Sequence, residues 1–166
     1  MGVAFEKQAA NVDEHCDLGA WEAVAELSRR KALAVAAHFP GRVVLAADTL
    51  VALENRPLGK PEDEEDACRM LERLSGREHQ VYTGVCILSA KGQESLFFER
   101  TDVTFFPLTQ EEIWNYIHEE KPFDKAGSYG IQGKAAVFVE KIQGDFFNVV
   151  GFPAARFIRK LRTLEK

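Results

Sequence analysis

Asp48 follows directly on five apolar residues, Val43-Val44-Leu45-Ala46-Ala47. A carboxylate placed where a strand leaves an open α/β sheet can orient water or hold a metal ion. The same residue could equally cap the next turn. Thr49 beside it adds a hydroxyl able to meet a base or a phosphate. Further along, Gly59-Lys60-Pro61 sets a lysine between a flexible and a rigid residue, just ahead of a predicted helix N-terminus. That combination can cradle phosphate. It is not a P-loop: the upstream glycine of G-x-x-x-x-G-K-[ST] is missing, and Pro61 stands where Ser or Thr would reach Mg²⁺. A solvated lysine in a turn is the plain alternative.

The stretch Lys125-Ala126-Gly127-Ser128-Tyr129-Gly130-Ile131-Gln132-Gly133-Lys134 places a glycine at every third position. Glycines so spaced let backbone N–H groups approach a ligand, and Gln132 offers both the donor and the acceptor needed to read a base edge. A flexible connection would have the same composition. Near the N-terminus Asp13-Glu14-His15 lacks any familiar metal-ligand spacing, and His15 reads as a surface residue. Glu14 could still supply a second carboxylate for a Mg²⁺ ion that bridges phosphates, since such ions take only one or two protein carboxylates. His38, His79 and His118 show no partner in the sequence. The pairs Phe97-Phe98, Phe105-Phe106 and Phe146-Phe147 read as core or dimer contacts rather than base-stacking platforms.

These residues need a scaffold, and the pattern supplies an alternation of helix and strand. Asp17 can cap a helix over residues 18–38, with Trp21, Val24, Ala25, Ala32, Val35 and Ala36 at helical spacing. The run 43–47 suits a buried strand covered on both faces and ending at Asp48. Residues 62–75 predict a helix with Glu62, Asp63, Glu64 and Glu65 in its first turn, favourable to the helix dipole. Residues 80–88 and 95–106 read as a long hairpin. Thr109-Gln110-Glu111-Glu112 is a T-x-x-E capping box opening a helix with Ile113, Trp114, Tyr116 and Ile117. Residues 135–142 look like a strand, and Pro153 could start a terminal helix. The sum is an α/β chain of a single domain, residues 1–166, without repeats or linkers.

Its 166 residues suffice for a core without staples, and 46% hydrophobic with 28% charged residues is ordinary globular composition. Cys16, Cys68 and Cys86 are scattered and odd in number, so free thiols are expected. A net charge of −5 argues against a nucleic-acid binder while leaving room for a cleft that holds a small anion. No secretory signal and no apolar run of membrane length is seen, so a cytoplasmic protein away from the membrane is expected.

Seven segments in order carry a resemblance. They are Val12-Asp13-Glu14, Arg30-Lys31-Ala32, Ala47-Asp48-Thr49, Gly59-Lys60-Pro61, Tyr82-Thr83-Gly84-Val85, the glycine loop from Lys125 to Gly133, and Gly144-Asp145-Phe146-Phe147-Asn148-Val149-Val150-Gly151-Phe152-Pro153. Together they resemble the Maf family of nucleotide pyrophosphatases. The resemblance implies an elongated mixed sheet with flanking helices and a central cleft, similar in shape to inosine triphosphate pyrophosphatases. It also implies hydrolysis of a nucleoside triphosphate to monophosphate and pyrophosphate. Asp48 would be the proton acceptor that activates water, with Glu14, Lys31 and Lys60 around the metal and phosphates. Glu14 and Asp48 would hold Mg²⁺, or Mn²⁺ in its place. Thr49, Gln132, Lys125, Ser128 and Tyr129 would bind substrate, and Thr49 with Gln132 match the branch that prefers dTTP and UTP. The family pattern opens with an apolar strand and an S-x-S-P-R-R loop. Met1-Gly2-Val3-Ala4-Phe5-Glu6 resembles the segment just after them, so two expectations stand: a longer natural protein, or a short form that binds nucleotide without turnover. The family's link to septum formation adds a non-catalytic regulatory reading. A homodimer is compatible with the aromatic pairs and the hairpin.

Overall fold

The computed structural model describes residues 4–164, so the first three residues of the opening stretch lie outside it. Among the described residues five α-helices and five strands follow in the order α1 (Ala20–Ala36), β1 (Val44–Leu53), β2 (Arg56–Leu58), α2 (Glu64–Leu74), β3 (Glu78–Leu88), β4 (Glu94–Phe105), α3 (Gln110–Glu120), β5 (Val139–Gln143), α4 (Phe146–Val150) and α5 (Ala154–Leu164). The strands make one antiparallel sheet in the order β2-β1-β3-β4-β5. β3 and β4 are 11 and 12 residues long, about 40 Å of extended chain, so the sheet is elongated.

Alternation along the strands decides which layer each residue meets. Ala46, Asp48, Leu50 and Ala52 point to the face covered by α1, where Leu50 and Ala52 pack on Ala20 and Val24, and Ala46 on Ala32. Leu45, Ala47, Thr49 and Val51 point the other way. On that face one end is covered by α5, through Phe157 and Leu161 against Val85, Ile87 and Phe97. The other end carries the largest core cluster, in which Val51, Val81, Val103 and Phe105 meet α2 (Leu71, Leu74) and α3 (Ile113, Ile117). Each fully buried Leu, Ile, Val or Phe contributes about 1.5–3 kcal/mol. α1 reaches the sheet only because Gly84 lies under it. A Cβ there would sit 2.1 Å from the carbonyl oxygen of Val24.

Several expectations hold. The hairpin, the Thr109–Glu112 capping box and the terminal helix after Pro153 are present, and Cys16, Cys68 and Cys86 are free thiols. Others change. α1 begins at Ala20 with Gly19 at its N-cap, and Asp17 makes no cap. Trp21, expected on the core face, is 43% exposed and stacks on Phe98. α2 starts at Glu64 because the carboxylate of Asp63 accepts from the Asp66 N–H and caps it. The stretch 135–142 divides into a 3₁₀ turn, Lys134–Phe138, and β5. The aromatic pairs split across the sheet: Phe97 and Phe105 are buried while Phe98 and Phe106 are exposed, and both Phe146 and Phe147 are exposed.

The largest correction concerns β1. It is not a short strand buried on both faces and ending at Asp48; it runs on to Leu53 in an antiparallel sheet, with Asp48 in its middle. Antiparallel pairing lets a strand leave one side open. β2 pairs only with Val51, Ala52 and Leu53, so residues 44–50 have no strand on that side among the described residues. A cavity of about 590 Å³ lies along this open edge, lined by Val44, Ala46 and Ala47 with Phe39 from the turn after α1 and Phe157 and Leu161 from α5.

Candidate active site

Asp48 and Lys31 meet across the α1 face of that edge, with Lys31 Nζ 2.5 Å from Asp48 Oδ1 and 2.6 Å from Glu14 Oε1. Helix α1 supplies Lys31, strand β1 supplies Asp48, and the irregular N-terminal segment supplies Glu14. The Arg30-Lys31-Ala32 triplet explains how that segment is held. Arg30 donates to the backbone carbonyls of Asp13 and His15 at 3.4 and 3.2 Å, Lys31 takes Glu14, and fully buried Ala32 lets the helix lie close to β1 and β3. Arg42 holds the same segment lower down through Glu6.

The side chains of Lys31 and Asp48 are 19% and 12% exposed, that of Glu14 59%. Burial raises Asp48 above the ordinary aspartate range, against the opposing pull of the Lys31 ammonium. Its basicity is correspondingly greater. Glu14 lies below its usual range because it accepts a hydrogen bond from Lys31. For Lys31 burial works against the charge, but the two carboxylates outweigh it and the ammonium is held above its usual range. Two carboxylates converging on one cation are a donor set that fits a hard divalent ion shared with phosphates and waters. No cluster of three or more His, Cys, Asp or Glu suited to a metal occurs among the described residues.

Lys60 is exposed, and its charge acts on Glu14, Asp48 and Asp124. Its charge thus reaches both the acidic pair and Asp124, the residue just before the glycine loop. That loop is tied to the lysine turn by the Gly127 N–H, which donates to the Gly59 carbonyl at 3.0 Å. Gln132 is exposed and Lys125 half-buried, its ammonium 3.1 Å from Asp124. Both are available to a ligand.

Three of the residues expected to bind substrate are placed differently. Thr49 points to the face opposite Asp48, as neighbours on a strand must. Its hydroxyl donates to the Gly151 carbonyl at 3.3 Å and lies 2.9 Å from the Thr83 hydroxyl. Ser128 is fully buried with Oγ 3.1 Å from Met70 Sδ, and Tyr129 is buried with its hydroxyl on His79. As single residues they looked like loop side chains; burial comes from the glycines turning the chain inward.

Sequence reasoning on single residues missed the supports. Thr83 and Asn148 link β3 to the α4 turn beneath Thr49: Asn148 donates to the Val81 carbonyl and the Thr101 hydroxyl, both at 3.0 Å. Thr101 in turn donates to the Asp145 carbonyl at 3.0 Å. The signal for them lay in the segments Tyr82-Thr83-Gly84-Val85 and Gly144 to Pro153, whose polar residues stand out in otherwise apolar runs.

An antiparallel sheet wrapped by helices, with a lysine-bridged carboxylate pair at an open strand edge, defines a small α/β domain. The chain belongs to the Maf family: the model described as Maf-like protein matches residues 1–164. Among curated relatives, a dTTP/UTP pyrophosphatase of Geobacillus sp. is 52% identical over 96% of this chain and 87% of its own. One from Carboxydothermus hydrogenoformans is 55% identical over 90% and 81%, and one from Bacillus cereus 49% over 98% and 86%. A solved nucleoside-triphosphatase / dITP/XTP pyrophosphatase from Mycobacterium abscessus aligns over 96% of this chain and 76% of its own, with a TM-score of 0.42 and 11% identity. That likeness is too remote to bear on the fold.

Proposed function

We propose that this chain is a nucleoside triphosphate pyrophosphatase acting on dTTP and UTP, releasing the monophosphate and pyrophosphate. The observation that carries the reading is the half-buried Asp48 held by Lys31, which also holds Glu14, in a chain about half identical to named dTTP/UTP pyrophosphatases.

Asp48, its basicity raised by burial, takes a proton from a water molecule as the water oxygen bonds to the α-phosphorus. The bond from that phosphorus to the oxygen bridging to the β-phosphate breaks, and pyrophosphate leaves. Lys60 and Lys31 stabilise the negative charge that builds on the phosphates. Glu14 and Asp48 would hold a divalent ion, Mg²⁺ or Mn²⁺, which when bound supplies charge neutralisation across the phosphate oxygens. Gln132 reads the pyrimidine edge and Lys125 meets a phosphate. No helix among the described residues is long and apolar enough to cross a membrane, and the cytoplasm is the proposed location.

The test is pyrophosphate release from dTTP and UTP by this chain and by Asp48→Asn. Turnover in the parent and a loss of about 10²–10⁴ in the variant support the reading. Thermal stabilisation by dTTP with Mg²⁺ but no release would replace catalysis with nucleotide binding.

A further inference from the structure

The loop that carries Lys125 and Gln132 is bound to the core at its middle. Gly127 and Ser128 both adopt left-handed backbone, at φ +67° and +63°. Glycine does so freely, but a serine holds that conformation only when its surroundings enforce it. Gly127 has a second constraint, since a Cβ there would sit 2.9 Å from Val51 Cγ1. Immediately after this turn come two phenol contacts. The Gly130 N–H donates to the Tyr116 hydroxyl at 3.3 Å, and the Tyr129 hydroxyl lies 2.8 Å from His79 Nε2.

His79 comes from β3, is fully buried, and stands edge-on to Phe105 and Tyr129 with ring centroids 4.8 and 5.4 Å away. Burial holds it neutral, with its pKa lowered to about 4. Burial also keeps the Tyr129 phenol protonated. With the imidazole proton on Nδ1, the phenol donates to Nε2 and only Nδ1 is left without a partner. The other tautomer would strand the phenol proton as well, and buried unpaired groups are costly. The phenol is therefore the donor. Neither His79 nor either tyrosine lies among the residues that meet a nucleotide in the reading above.

We propose that His79, Tyr129 and Tyr116 are positioning residues: two buried phenols and an imidazole clamp the strained Gly127–Ser128 turn and so aim Lys125 and Gln132 at the nucleotide beside Lys60. This rests on the reading of the glycine loop as nucleotide-binding. The clamp lies within the core below the loop and acts on affinity, not on the proton transfer at Asp48.

The experiment measures KM and kcat for dTTP in the parent, Tyr129→Phe, Tyr116→Phe and Gln132→Ala, with the thermal midpoint of each. Tyr129→Phe keeps the ring and removes only the hydroxyl; Tyr116→Phe does the same at the other contact and serves should Tyr129→Phe fold poorly. The expected result is a KM raised about five- to tenfold in both phenylalanine variants and in Gln132→Ala, with kcat within about twofold of the parent. A raised KM in Gln132→Ala with parental KM in the folded phenylalanine variants overturns the clamp alone. A drop in kcat with unchanged KM, the mark of a smaller folded fraction, overturns it too. Parental KM in all three, Gln132→Ala included, overturns the loop's part in binding and the clamp with it.

Discussion

His79 makes acid stability a quantitative test of the buried cluster. Its pKa is lowered from 6.5 to about 4 by burial, so the unfolded chain takes up a proton at this residue at a higher pH than the folded one. Stability is thus whole above pH 6.5 and is lost as pH falls toward 4. Each pH unit across that window is worth about 1.4 kcal/mol, so the loss is on the order of 3 kcal/mol. The perturbation is His79→Phe, which keeps an aromatic ring between Phe105 and Tyr129 but cannot titrate. It strands the Tyr129 hydroxyl, a pH-independent cost of about 1–3 kcal/mol. The assay is urea unfolding of parent and variant at matched pH values between 7.5 and 4.5. Contributions from groups other than residue 79 are common to both proteins and cancel in the difference. At pH 7.5 the variant is the less stable of the two; toward pH 4.5 the parent loses its advantage by about 2–3 kcal/mol more than the variant does. Parallel curves over the whole range would refute the reasoning, for they would mean that His79 charges as easily in the folded protein as in the unfolded one.

Gly84→Ala places a methyl carbon 2.1 Å from the Val24 carbonyl oxygen, in the backbone of α1. A helix cannot yield as a side chain does, so a loss of about 3 kcal/mol is expected from urea unfolding. Lys31→Met removes the cation shared by Glu14 and Asp48. Turnover of dTTP is expected to fall about 100-fold. Because Lys31 holds Asp48 down against the effect of burial, its loss raises Asp48 further, and the acid limb of the pH–rate profile shifts to higher pH. An unshifted limb would show that Asp48 is not the group whose ionisation the rate follows.

Local order was legible where short-range chemistry sets it. The Thr109–Glu112 box, the hairpin strands and the helix after Pro153 depend on residues three or four apart or on alternation, and they stand as expected. Asp48, Lys31, Glu14 and Lys60 were legible as a group through the ordered motifs, and three of them touch. The extent of β1 was not. An apolar run of five followed by Asp and Thr looks like a strand end, whereas pairing with β3 across nine residue pairs from Val44↔Leu88 to Ala52↔Gln80 carries the strand through them.

The sequence by itself determined the types and order of the reactive residues, the family, and most of the helices and strands, because these follow from side-chain chemistry and local periodicity. Only the tertiary structure decided which way each residue faces. Sheet register turned Asp48 toward α1 and Thr49 toward α4, and the glycines of the loop let Ser128 and Tyr129 enter the core. Those outcomes depend on strands and loops far apart in the chain, whose meeting is settled by packing the whole sheet between its helices.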